Sequence, residues 1–485
     1  MLFNSVEFFI FLPIVFLLYW LVFGKNVRLQ NLFIVVVSYL FYAWWNWKFA
    51  FLIAFTTGCS FINGVAIRYY KEKNKKQIAK FISNSNVVIN LLILAIFKYY
   101  NFFADSLVFL MGTMGVVLDY PTLNIILPVG ISFYTFQALS YTIDVQRDKI
   151  MPTKDPIQFF AFISFFPQLV AGPIERAENL LPQFKKERYF NYLTAVDGCR
   201  QMLWGFFKKI VIADNCAYYA NIAFNNHNDV GSLSLLLGAI FFTIQIYGDF
   251  SGYSSIAIGC AKLFGIKLQA NFKVPYFSRD ISEFWKRWHI SLNKWFVDYV
   301  YIPLGGSRVP KNKIIRNTFI IFLLSGLWHG ANWTYVAWGL YHACLFLPLI
   351  LLNKNHKYKQ GFDENKKYPS FQEVINMVLT FGFVMIGWII FRSTSITNSI
   401  QYIIRMFSFV PDNGKGISTF SVVFIFLTII VFIVEWWNRN EEHEFKKIIF
   451  NKSLRMFVYF LLTASIYISF LISIRSENTF IYFQF

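Results

Sequence analysis

Leu323-Leu324-Ser325-Gly326-Leu327-Trp328-His329-Gly330-Ala331 lies inside an apolar run from 314 to 331. Such a run approaches the ~20 residues that cross a hydrocarbon core of ~30 Å as a helix. It also holds a histidine. Ionisable groups at membrane depth are rare and mostly face a water-filled cavity. His329 therefore marks both the fold class and the first candidate for function. A second histidine, His289, stands in Phe284-Trp285-Lys286-Arg287-Trp288-His289-Ile290-Ser291. The chain has only six histidines, and these two lie in its most tryptophan-rich region.

The surrounding composition agrees. Of 485 residues, 56% are hydrophobic, 21% aromatic and 15% charged, and the mean hydropathy is +0.47. A soluble domain cannot hide that much apolar surface. Helices or closed barrels alone satisfy every backbone group in lipid, and a barrel would show alternating segments of ~10 residues. The runs here are continuous, which predicts an all-α polytopic membrane protein. The net charge of +19 would suggest nucleic acid in a soluble chain. Here Lys and Arg cluster between apolar runs, the positive-inside pattern, so cytoplasmic loops and anionic lipid headgroups account for it and no nucleic-acid partner is expected. Five cysteines (Cys59, Cys199, Cys216, Cys260 and Cys344) sit in or beside apolar segments and offer no disulfide framework.

Candidate spans are 6–23, 31–45, 49–66, 87–104, 123–143, 200–222, 232–260, 314–331, 333–352, 371–391, 418–437 and 453–474. The first lacks the positive start of a signal peptide and reads as retained. Lys25, Arg28 and the cluster Arg68 to Lys80 mark cytoplasmic loops, whereas 105–122 and 223–231 have no Lys or Arg. This alternation predicts both termini outside, with 67–80 and 262–313 cytoplasmic. Segment 157–172 breaks it, because both flanks are basic (Arg147, Lys149 and Lys154, then Arg176, Lys185, Lys186 and Arg188). It reads as re-entrant or in-plane, tolerated where protein or a water-filled cavity surrounds it. Residues 280–299 read as one amphipathic helix at the cytoplasmic interface, started by Asp280 and Glu283 at capping-box spacing. A single integral domain, 1–485, is the simplest organisation.

The residues in order resemble a known family. They are Met1-Leu2-Phe3-Asn4-Ser5-Val6-Glu7-Phe8, Pro128 to Gln137, Phe166-Pro167-Gln168-Leu169-Val170-Ala171-Gly172-Pro173-Ile174, Tyr247 to Ser254, the two histidine segments, and Phe480-Ile481-Tyr482-Phe483-Gln484-Phe485. Together they resemble bacterial membrane-bound O-acyltransferases of the alginate and peptidoglycan O-acetylation type. The resemblance spans nearly the whole chain, with core motifs over 128–345 and an outward tail at 475–485. It implies a fold of roughly 11–12 transmembrane helices with re-entrant or in-plane pieces around a pore, in the bacterial cytoplasmic membrane. It further implies a cytoplasmic acetyl-CoA donor, no bound cofactor, an extracytoplasmic glycan acceptor and a secreted SGNH-type partner transferase. The family's catalytic histidine falls on His329 and its second polar position on His289. Tyr482 falls where such tails use a phenol as an acyl relay; an aromatic anchor at the outer headgroups is the plain alternative.

Chemistry independent of family agrees for His329, since transfer to a hydroxyl needs a base and histidine's pKa suits neutral pH. His289 reads either as a second catalytic group or as a positioning residue. Asp249, with Gln245 and Ser251 nearby, is either a pore-lining group that orients the donor or a packing node beside the Gly248-x-x-x-Gly252 spacing. Trp285, Trp328 and Asn293 are candidate substrate contacts. Trp285, Trp288, Trp295, Trp328 and Trp333 otherwise read as interface belt and packing. Pairing His329 with His342 or His289 on zinc lacks a Cys or carboxylate at recognisable spacing. A flippase for a lipid-linked sugar, with His329 and Asp249 relaying protons, is the competing class, but no internal repeat of the transporter kind is present.

Overall fold

The computed structural model describes residues 1–117, 126–170, 172–355, 357–358, 367–412, 416–418, 421–446 and 451–473. Regular structure among them is helical throughout. Six helices are long and apolar enough to cross a membrane: Trp47–Glu72, Lys76–Thr113, Ser232–Leu263, Trp333–Leu351, Phe371–Arg392 and Lys452–Ile472. Val6–Leu21, Val27–Ala43 and Val422–Trp437 are apolar but shorter. Lys311–His329 has 19 residues, but its first turns carry Lys311, Asn312, Lys313, Arg316 and Asn317, and it falls outside the set of six. Lys452–Ser473 turns much of its surface outward, with Phe460 67% exposed, as a lipid-facing helix does.

The chain forms two compact units, Met1–Gly198 with Ala257–Gln269, and Cys199–Ile256 with Ala270–Phe485. In the first, Lys76–Thr113 is longer than the span 87–104 read from hydropathy. No Gly or Pro interrupts residues 76–111, so helical backbone continues past the apolar stretch. Its 38 residues give about 57 Å at ~1.5 Å per residue. The loop expected over 67–80 shrinks to a turn near Lys73–Lys75, and helix replaces the first part of the loop expected over 105–122. Buried Asn86 ties three helices together by donating to Thr142 Oγ1 at 2.7 Å and Ser60 Oγ at 3.3 Å. Segment 157–172 contains two short helices, Pro156–Ser164 and Phe166–Leu169. Lys149 and Lys154 from one flank and Lys185 from the other line one common cleft. Neither helix is long enough to cross a membrane alone, as a re-entrant or in-plane piece requires.

In the second unit, the core is aromatic. Trp288, Trp338 and Trp388 are all essentially buried, with Trp388 centred 4.9 Å from Trp288 and 5.8 Å from Trp338. Lys311–His329 and Trp333–Leu351 pack together closely: a Cβ at Gly326 would lie 2.3 Å from the Tyr335 carbonyl oxygen. Ile396–Met406 is a helix that hydropathy does not announce. It is capped by Ser395 and buries Tyr402 and Met406. Its apolar stripe is too narrow and its span too short for a membrane-crossing signal.

The interface helix expected over 280–299 is corrected. Two short helices, Ile281–Arg287 and Ile290–Phe296, are broken at His289. Asp280 accepts from the Glu283 N–H, as the capping spacing predicts. The Glu283 carboxylate does not return the bond; it accepts instead from Arg279 and Arg287 at 2.9 and 2.8 Å. Arg287 and Ser291, polar residues of this stretch, are both buried. Most of the piece is packed within the protein, with Lys286, Lys294 and Val297 left exposed.

Candidate active site

His329 is the last residue of its helix, followed by extended Gly330. The helix end projects the imidazole among Trp328, Trp338 and Phe391, whose rings are centred 5.0, 5.1 and 5.2 Å away, all edge-on. The ring is 5% exposed. A base in such surroundings is shielded from bulk water, and the rings fix its plane.

His289 lies on the other side of Trp328, their rings 5.7 Å apart, with Phe250 4.7 Å from the imidazole. Its backbone is left-handed, φ 43° and ψ 54°. L-residues seldom adopt this region, although His does so more often than most. The surroundings hold it there. The Ile290 N–H donates to the Asn271 carbonyl at 2.8 Å, and the Asn293 amide donates to the carbonyls of Trp285 and Trp288, each at 2.6 Å. Burial pushes the His289 pKa down to about 3, so at neutral pH the ring is uncharged and able to accept a proton bond.

The two histidines are thus brought together around Trp328. Trp285 joins through Trp338, 5.5 Å away, and its indole N–H has no acceptor among the described residues. Asn293, proposed as a substrate contact, spends its amide on bracing the break at His289. Asn293→Asp should replace two donations with a carboxylate facing two carbonyls and destabilise the protein by about 2 kcal/mol or more. A thermal melt in detergent reads this directly, and an unchanged Tm would reject the bracing role.

Asp249 has a partner. Its Oδ1 lies 2.8 Å from Lys209 Nζ, which lies 2.6 Å from Asp214 Oδ1. Lys209 sits on a widened π-helical stretch, Phe207–Ala213. Such widened turns occur often at functional sites. The packing feature is present as well, since a Cβ at Gly252 would lie 2.7 Å from the Gly205 carbonyl oxygen. Gln245 and Ser251 are buried, and Gln245 Oε1 and Ser251 Oγ have no partner among the described residues. Of the five tryptophans assigned to belt and packing, only Trp333 is exposed; Trp285, Trp288, Trp295 and Trp328 are core. Tyr482 lies outside the described residues.

Sequence reading missed the neighbouring cation. Lys208 Nζ lies 3.0 Å from Glu444 and 3.6 Å from Glu435, whose Oε1 also accepts from Tyr247 at 2.8 Å. The signal was available: Lys208-Lys209 and Glu435 are charges inside apolar runs, the same criterion that selects His329. Trp338 and Phe391, which wall His329, carry no charge to single them out.

The model of the membrane-bound O-acyltransferase family matches residues 31–354, a range that includes both histidines. The chain is 39% identical to the probable alginate O-acetylase AlgI of Pseudomonas aeruginosa, covering 84% of this chain and 74% of that one. It is 33% identical to the peptidoglycan O-acetyltransferase of Helicobacter pylori, over 83% and 79%. It is 32% identical to the teichoic acid D-alanyltransferase of Bacillus subtilis, over 56% and 70%.

Proposed function

Because this chain belongs to the membrane-bound O-acyltransferase family, and is a multi-pass O-acyltransferase, we propose that it takes acetyl from cytoplasmic acetyl-CoA and passes it across the cytoplasmic membrane for O-acetylation of an extracytoplasmic polysaccharide. Acetyl is favoured over D-alanyl because the relatives named for O-acetylation match over much more of the chain. The observation that carries the reading is His329. It is a buried imidazole at a helix end, held by three aromatic rings and paired across Trp328 with a second, neutral imidazole.

In this reading His329 takes the proton of the acceptor hydroxyl as that oxygen attacks the thioester carbonyl. The tetrahedral intermediate expels the CoA thiolate, which takes that proton back from His329 and leaves as the thiol. His289 holds Trp328 and the ring geometry. Asp249, Gln245 and Ser251 are the polar groups assigned to orienting the donor, and Trp285 offers a free indole N–H. The acceptor hydroxyl that the chain itself supplies is that of Tyr482, which hands acetyl to an SGNH-type transferase outside. A neutral phenol, with a reference pKa of ~10, needs such a base to react.

The test uses purified full-length protein and acetyl-CoA. Release of free CoA thiol is expected, with an added acetyl group on the C-terminal peptide by mass spectrometry when no partner is supplied. Tyr482→Phe keeps the ring and removes the oxygen. Glycan acetylation in cells should vanish while membrane insertion stays normal. A silent Tyr482→Phe together with an unmodified peptide would end the relay, and absence of thiol release would end the acetyl-CoA reading.

A further inference from the structure

The cleft that gathers the flanks of the re-entrant segment has a volume of about 830 Å³ and lies wholly within the first unit. Four cations line it: Arg28, Lys149, Lys154 and Lys185. Its two acids are already engaged. Asp155 Oδ1 caps the Pro156–Ser164 helix, accepting from the Ile157 N–H at 2.9 Å, and Glu178 lies 3.7 Å from Arg176. Lys149 lies 3.6 Å from Asp144. Arg28, Lys154 and Lys185 have no acidic partner among the described residues.

The positive-inside pattern explains why these residues are basic, but not why they surround one concavity. They come from three separate segments of the chain, and a cleft lined by one sign of charge focuses its field on an incoming anion. Three helices, Val27–Ala43, Pro156–Ser164 and Ala177–Lys185, also begin at the cleft. Their amino ends add partial positive charge. The floor is set in advance. Buried Asn31 donates to the Phe184 carbonyl at 2.7 Å and accepts from Arg188 at 2.6 Å, and Gln158 donates to the Leu181 carbonyl at 3.3 Å.

We propose that this cleft is a binding site for a phosphate-bearing ligand, held by Arg28, Lys154 and Lys185. A phosphate offers several charged oxygens to cations converging from different directions, which a single carboxylate does not. Two sources carry that group, an anionic phospholipid headgroup and a soluble phosphorylated compound. The site does not depend on the proposed acetyl transfer.

The experiment compares full-length protein with the Arg28→Gln/Lys154→Gln/Lys185→Gln variant. All three side chains are exposed, and an unchanged Tm would show that the variant is folded. Native mass spectrometry would follow titration with phosphatidylglycerol, with phosphatidylcholine as the zwitterionic control, and separately with ADP. Loss of three cations should weaken the bound species roughly tenfold or more, and leave phosphatidylcholine unchanged. Selective loss of phosphatidylglycerol identifies a lipid site, and selective loss of ADP a site for a soluble phosphate. Equal retention of both probes by folded variant and wild type, or no retention of either by wild type, would overturn the proposal.

Discussion

His329→Ala is expected to lower acetyl-CoA turnover by a factor of ~10² or more, the usual contribution of a positioned base. Protein level and Tm should change far less than turnover, because the ring stands at the end of its helix and not in its middle. His329→Gln is a useful companion. It keeps a polar side chain at the helix end but cannot take up a proton near neutral pH, so it should be as slow as alanine. Purified protein assayed for thiol release measures both. Near-normal turnover in either variant would remove the general-base role and leave the aromatic enclosure without a catalytic purpose.

The second large effect concerns stability. Lys209 is buried between Asp214 and Asp249. Lys209→Met deletes the cation and leaves two carboxylates facing each other in the interior. Breaking one partner of a buried ion pair typically costs about 3–5 kcal/mol. The variant should melt far below wild type, or fail to accumulate in the membrane. Lys209→Met/Asp214→Asn/Asp249→Asn removes all three charges and should recover much of the loss, because desolvation is then relieved as well. An unchanged Tm in the single variant would mean that the ion cluster is not holding the helices. If the triple variant melts normally yet turns over slowly, Asp249 serves more than packing.

How much of this was legible in the sequence depends on which physical rule the residues obey. Hydropathy and length are properties of single segments, so the long helices could be read directly, as with Phe371–Arg392. The charges flanking 157–172 marked it as no simple span, because a true span is not basic at both ends, and two short helices stand there. His329 stood out because a histidine in an apolar run is costly. The interior of 280–299 could not be read that way. Its polar and apolar faces fit an interface helix, and only the folded chain shows Arg287 buried against Glu283 and Ser291 donating to Asn271. Lys76–Thr113 outran its apolar stretch for the opposite reason: nothing in its sequence stops a helix, and hydropathy marks lipid rather than helix ends. The rings around His329 come from Trp328, from Trp338 on the next helix and from Phe391, distant in sequence, and none carries a charge. Periodicity can place them in a core but not beside a particular imidazole.

The left-handed backbone of His289 bears on how this residue can be studied. An alanine there must hold a conformation that its Cβ disfavours, so an alanine scan would merge two injuries, the lost ring and a strained hinge. Glycine adopts the same angles without penalty, and deletes the ring while sparing the hinge. Asparagine tolerates the angles too, and keeps a polar group. A slow glycine variant would speak for chemistry, whereas an alanine variant that fails where glycine succeeds would speak for geometry. At this one position the conventional control is the misleading one.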